Sequence, residues 1–213
     1  MARVTPRWEC AEPQLVTAYR IISEILADSD FYLAGGTALA LQEGHRVSID
    51  LDFMSATFSN PEELIQTVRD SEVDFEVTMT SSRTVYITMG GVQVSFFGYD
   101  YPQLEAVLHL EEALLPVAHS DDIAAMKLAA IASRGSRKDF VDLWLLVSRH
   151  RSLQAYLDLF QKKFRMRDTG HVVRSLSYFD DADEEPELRM LIELDWEQVK
   201  SDVLGWVSKL LQA

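Results

Sequence analysis

The 213-residue chain has a single cysteine, Cys10. One thiol excludes an intramolecular disulfide and a cluster of thiolate metal ligands. No apolar run is long enough to cross a membrane as a helix. The opening Met1-Ala2-Arg3-Val4-Thr5-Pro6-Arg7 leads into no signal-peptide apolar core. Positive charge is scarce as well: 20 Lys and Arg stand against 34 Asp and Glu, a net charge of −14. That balance argues against broad non-specific binding of nucleic acid. No nucleophile elbow is present, so a serine–histidine hydrolase has no support. Internal repeats and long linkers are missing too. The expectation is a soluble, cytoplasmic protein with no membrane partner, forming one domain or a domain with a helical appendage. Its 47% hydrophobic content suffices for a sizeable core.

What positive charge there is lies in one place. Residues 134–174 hold ten of the twenty Lys and Arg against Asp139, Asp142, Asp158 and Asp168, so the segment is +6 and the remainder −20. Such a segment is either a solvated helical face or a basic surface serving a triphosphate or polynucleotide. Arg137, Lys138, Lys162, Lys163 and Arg165 are its candidates for such a surface.

Periodicity gives the order of elements. Leu15, Ala18, Ile22 and Ile25 or Leu26 set a helix over about Pro13 to Ala27. A buried strand over Phe31 to Ala34, a helix over Thr37 to Glu43 and a strand over Ile49 to Phe53 follow. Asn60-Pro61 starts a helix that ends near Asp70. Val73 to Met79, Thr84 to Met89 and Val92 to Phe97 read as strands, the last two joined by Gly90-Gly91 as a hairpin turn. Leu114 to Ala118 adds a further strand. Beyond Ser120 the pattern is helical, broken at Gly135, Gly170 and an acidic Asp180–Glu187 stretch read as an exposed loop. The fold class is therefore α+β: a small mixed sheet packed on helices, then a helical half.

Chemistry concentrates at two places. Gly35-Gly36-Thr37 can open a helix with its first backbone amides turned toward an anion, because glycine permits close approach and the helix dipole favours negative charge. Asp50 and Asp52 are two apart on a strand, so both carboxylates leave one face while Leu51 enters the core. Paired carboxylates beside a phosphate cradle describe a divalent-metal site for phosphoryl or nucleotidyl transfer. Arg46 either clamps a phosphate or pairs with Asp50 or Asp52; Ser48 shares its turn, and His45 reads as structural. In the helical half, Lys127 falls between Ile123 and Ile131 on an inward stripe, where it needs an anionic partner or a shifted pKa. It is either a structural salt bridge or a lysine for substrate phosphates. Asp139 and Asp142 lean inward with Leu143 and Leu146; Ser136-x-x-Asp139 also approximates a capping box.

Leu33-Ala34-Gly35-Gly36-Thr37-Ala38-Leu39-Ala40-Leu41 and Gly44-His45-Arg46-Val47-Ser48-Ile49-Asp50-Leu51-Asp52-Phe53 resemble the signature of the AbiEii/AbiGii toxin-like nucleotidyltransferases, within the DNA polymerase beta-like nucleotidyltransferase superfamily. Lys127, with Ser133-Arg134-Gly135-Ser136-Arg137-Lys138-Asp139-Phe140-Val141-Asp142-Leu143, resembles the downstream motif of that family. The pairing of the two blocks in order is more specific than either alone. The resemblance implies a nucleotidyltransferase core over residues 1–118 and a helical half over 119–213 that completes the active-site cleft. It implies transfer of a nucleoside monophosphate from an NTP to a hydroxyl acceptor, such as a tRNA or another RNA, by a toxin with a cognate antitoxin. Asp50 and Asp52 would hold Mg²⁺ or Mn²⁺ and, with Lys127 and Asp139, act in catalysis. Gly35, Gly36, Thr37, Arg46, Ser48, Arg134, Lys138 and Asp142 would bind nucleotide or phosphate. One residue departs from the superfamily pattern: Ser95 stands where a third carboxylate is expected. Two alternatives stay open: an inactive nucleotide- or partner-binding module of the same fold, of which Ser95 would be the trace, and a metal-dependent phosphohydrolase, which uses similar acids.

Overall fold

The computed structural model describes residues 3–111 and 115–212. In chain order the elements are β1 (Arg3–Val4), α1 (Pro13–Ile25), β2 (Tyr32–Ala34), α2 (Gly35–Glu43), β3 (Asp50–Ser55), α3 (Pro61–Asp70), β4 (Glu76–Ser81), β5 (Thr84–Met89), β6 (Val92–Gly98) and β7 (His109–Leu110). The helical part follows as α4 (Ser120–Ser133), α5 (Arg137–Arg149), α6 (Leu153–Phe164), α7 (Gly170–Ser175), α8 (Asp180–Glu184) and α9 (Trp196–Gln212). They pack as two units: Met1–Tyr101 with Ala106–Ala118, and Pro102–Glu105 with His119–Ala213.

The first unit is built on a five-stranded sheet in the order β2-β3-β6-β5-β4. Only β3 and β6 run parallel; the other neighbours are antiparallel, so the sheet is mixed as expected. Strand alternation explains its core. Leu51, Phe53, Val85, Ile87, Val94 and Phe96 are buried on one face, which α1 and α3 cover. Phe53 stacks on Phe96 at 5.7 Å and on Tyr19 of α1 at 6.3 Å. Each such ring or aliphatic chain contributes roughly 1.5–3 kcal/mol by leaving water. Asn60 caps α3 as its sequence requires, with Oδ1 accepting from Glu63 N at 3.3 Å. The β5–β6 turn uses Gly90 and Gly91 at φ +56° and +81°, the pair of left-handed residues a two-residue hairpin needs.

In the second unit α4 is the central helix, packed on α5, α6 and α7. Ile123, Lys127 and Ile131 are all buried, so the inward stripe holds. Phe140 of α5, Phe179 and Trp196 close the other side of α5 through ring contacts of 4.8–6.2 Å.

Several elements differ from the sequence reading or lie partly outside the described residues. Helix α2 begins at Gly35, not Thr37, because the two glycines are its first turn rather than a separate loop. Strand β4 lies further along than Val73 to Met79 and carries a register shift at Val77/Met79. Residue 114, where a further strand was expected to start, lies outside the described residues. From the remainder of that segment Val117 makes single bridges to Leu33 and Leu108. The acidic Asp180–Glu187 stretch is exposed over most of its acids but is not all loop: Asp180–Glu184 forms α8, with Ala182 fully buried. Arg137 holds it by donating from Nε to the Ala182 carbonyl at 2.9 Å, and Asp183 binds Trp196 Nε1 at 2.6 Å. Two residues each, β1 and β7 are too short to leave a periodic trace.

Candidate active site

Helix α2 leaves β2 directly, with Ala34 as its N-cap and therefore no capping side chain. The turn from strand to helix requires Gly35, which sits at φ +65°. A Cβ built there would lie 2.6 Å from Asp52 Oδ2. The carboxylate thus occupies the space a side chain at position 35 would need, and it lies against the first residue of α2. Negative charge is favoured at that end of a helix. Ala34 and Asp52 are opposite each other in the β2–β3 pair, which brings turn and acid together.

Asp50 and Asp52 leave β3 on the same face, half-buried, while Leu51 and Phe53 are fully buried on the other. The residues leading into β3 are anchored from α2. Thr37 Oγ1 lies 2.7 Å from Ser48 Oγ and also meets the Asp50 carbonyl oxygen. Ser48 N donates to the Cys10 carbonyl at 2.9 Å. The hydroxyls of Thr37 and Ser48, both buried, therefore fix the start of the acidic strand. His45 and Arg46 are buried beside them, with Arg46 Nη1 donating to the Val47 carbonyl at 3.2 Å. Burial, followed by the nearby Glu9 carboxylate, pushes the Cys10 thiol up to about 11, so it stays protonated and inert at neutral pH.

Two carboxylates on one face, one of them in a cradle only glycine admits, fit a divalent cation whose remaining ligands are water and substrate oxygens. Among the described residues no group of three or more His, Cys, Asp or Glu is arranged for a metal. Ser95 does lie beside Asp52 in the β3–β6 register, the position where a third carboxylate was sought.

The downstream residues form a second group within the second unit. Lys127 Nζ lies 2.9 Å from Asp139 Oδ1 and 2.6 Å from Asp142 Oδ2. Arg134 adds Nε to Asp139 Oδ2 at 2.9 Å. Both aspartates are fully buried. Burial alone would raise the Asp139 carboxyl, but the Lys127 and Arg134 cations outweigh it and hold it below the usual carboxylate range. The capping-box reading of Ser136 and Asp139 fails, because the Asp139 carboxylate is taken by these cations. Glu185 caps α5 instead, accepting from Ser136 Oγ and Arg137 N at 2.9 Å each. Lys138 is half-buried at the start of the same helix.

Comparison with known proteins decides the family. The sequence matches the family described as nucleotidyl transferase AbiEii toxin, type IV TA system, over residues 18–209. The chain belongs to the AbiEii nucleotidyltransferase toxin family. As a member it is a nucleotidyltransferase. An uncharacterized protein of Aquifex aeolicus is 40% identical over 178 residues, 81% of this chain and 84% of that protein. Among solved structures, the nucleotidyltransferase toxin MenT4 of Mycobacterium tuberculosis is similar with a TM-score of 0.60 at 17% identity, over 90% of this chain and 82% of that one. JHP933 of Helicobacter pylori is similar with a TM-score of 0.57 at 21% identity, over 91% and 89%. These two likenesses concern the fold. Among the described residues of this AbiEii-family chain, no helix is long and apolar enough to cross a membrane.

Sequence reasoning missed two ion pairs of the second unit. Asp122 pairs with Lys163 at 2.6 Å and accepts from Leu104 N and Glu105 N at 3.0 and 3.1 Å. Asp121 takes Arg151 at 2.8 Å through both guanidinium arms. Lys163 is therefore buried and paired, not part of a basic surface as its place in the positive segment had suggested. Nothing local in the sequence joins positions 41 apart.

Proposed function

We propose that this chain transfers a nucleoside monophosphate from an NTP to a hydroxyl acceptor at Asp50 and Asp52, with Mg²⁺ or Mn²⁺ as cofactor. The observation that carries the reading is the Asp52 carboxylate set against Gly35 at the first turn of α2, on the same face as Asp50. A divalent cation held by these two acids would neutralise the triphosphate and the leaving pyrophosphate. Gly35, Gly36 and Thr37 offer backbone amides of the helix start to phosphate oxygens. The hydroxyls of Thr37 and Ser48 hold β3 in place, and Arg46 contributes buried positive charge near its start. In the reaction the acceptor oxygen bonds to the α-phosphorus, the bond from that phosphorus to the pyrophosphate breaks, and the acceptor proton leaves to solvent or a base.

Lys127, Asp139, Asp142, Arg134 and Lys138 enter the proposal as residues required for transfer, on the strength of the α4–α5 motif. An RNA acceptor such as tRNA and a cognate antitoxin are the partners the family suggests. Residues 1–118 would serve as the catalytic core and 119–213 as the half completing it.

The test incubates the protein with cellular RNA and each α-labelled NTP. Label on the RNA together with released pyrophosphate supports the reading. Free monophosphate or orthophosphate without a labelled acceptor would favour a phosphohydrolase. Nucleotide binding without turnover would favour an inactive binding module. Lys127→Arg keeps the charge among Asp139 and Asp142, so loss of transfer at unchanged thermal stability would support a role beyond packing.

A further inference from the structure

The face that carries Asp50 and Asp52 also carries a buried hydroxyl. In the parallel β3–β6 pair Asp52 lies opposite Ser95, as Phe53 lies opposite Phe96. The Phe53–Phe96 stack fixes that register on the apolar face, so the Ser95 side chain leaves the sheet on the side of Asp52. On the other side of β6, the β5–β6 register sets Tyr86 opposite Ser95. Ser95 is 0% exposed, and its Oγ has no hydrogen-bond partner among the described residues. A buried hydroxyl without a partner is costly, and native proteins keep few of them. The buried hydroxyls of Thr37 and Ser48, by contrast, are bonded to each other.

We propose, resting on the function above, that Ser95 is a ligand-binding residue of this site. Its hydroxyl shares with Asp52 the oxygen shell of a divalent cation, through a cation-bound water or a phosphate oxygen. Rotation about one χ1 bond swings Oγ between staggered positions. The hydroxyl also sets how the cation is held. A serine here leaves two carboxylate charges rather than three, so the triphosphate must supply the rest. The cation then binds together with the nucleotide and only weakly alone.

The experiment titrates Mn²⁺ into the wild type, Ser95→Ala and Ser95→Asp, with and without a non-hydrolysable NTP analogue, following free Mn²⁺ by its electron paramagnetic resonance. Thermal unfolding of each unliganded protein is recorded alongside. Ser95→Ala removes a buried hydroxyl with no bond among the described residues, so its unfolding temperature should be equal or higher. Its binding of Mn²⁺ with the analogue should weaken roughly three- to tenfold, the effect of one hydrogen bond. Ser95→Asp should bind Mn²⁺ without the analogue more tightly than the wild type does. Unchanged Mn²⁺ binding by Ser95→Ala, beside a wild type that binds, would overturn this inference and leave the metal site standing. No Mn²⁺ binding by the wild type under any condition would overturn both.

Discussion

The acids of the two units are held in contrasting ways. In the second unit each buried aspartate of α4 and α5 meets a cation at close range: Asp121 with Arg151, Asp122 with Lys163, Asp139 with Lys127 and Arg134, and Asp142 with Lys127. In the first unit Asp50 and Asp52 share a half-buried face with Ser95, whose hydroxyl has no bond among the described residues, and with a glycine whose missing side chain makes room for a carboxylate. A buried charge costs several kcal/mol unless it is paired, so the second arrangement locks helices together. The other gathers two half-buried carboxylates on one face of a sheet, where we place the ligand. The comparison teaches that density of charge alone does not mark a candidate ligand face; the room a glycine leaves beside a carboxylate does more to mark it.

The sharpest way to break the comparison is Lys127→Ala. It leaves Asp139 and Asp142 buried with less compensation and should cost about 3–5 kcal/mol of stability. Chemical denaturation measures this, and a cost under about 1 kcal/mol, the size of an exposed pair, would show that the cluster is not holding α4 to α5. Gly35→Ala tests the other side. It forces a Cβ toward Asp52 Oδ2 at a positive φ. Displacing that carboxylate should lower transfer roughly 100-fold, while left-handed strain costs only about 1–2 kcal/mol. Retained transfer would remove Asp52 from the centre.

A smaller effect concerns pH. The Asp139 carboxyl is held below its ordinary value of 3.8 when folded, so its contribution to stability is present above that value and is lost as pH falls below it. Denaturation midpoints followed into the acid range should show this loss, and Asp139→Asn should flatten that limb. The smallest effect is at Cys10. With its thiol raised to about 11, the folded protein should resist thiol reagents at neutral pH and react only on unfolding. Rapid labelling of the native protein would mean that the start of β3 opens readily.

Much of the fold was legible in the residues because it is written in local periodicity. The β5–β6 hairpin, the Asn60 cap and the Ile123-Lys127-Ile131 stripe all follow from patterns within a few turns or strands. The shared face of Asp50 and Asp52 follows from the two-residue repeat of a strand. Gly35 was singled out as part of a phosphate turn, but its tight fit to Asp52 depends on the β2–β3 register and was not readable. The same holds for Asp122 with Lys163 and for Glu185 as the cap of α5, since each joins positions far apart in sequence. Asp180–Glu187 reads as a solvated loop by charge alone; its acids are mostly exposed, yet one small residue, Ala182, and the guanidinium of Arg137 dock its first five residues as a helix.

The central claim is that Asp52, against Gly35, belongs to the nucleotidyl-transfer centre. Its most direct test is label transfer from an α-labelled NTP by Asp52→Asn, compared with the wild type at matched folded concentration. The amide keeps the shape of the side chain and removes its charge. The account predicts that transfer falls by at least about two orders of magnitude, the scale seen when one preorganised electrostatic group is removed, with an unfolding temperature close to that of the wild type. Transfer at the wild-type rate by a folded Asp52→Asn protein would contradict it.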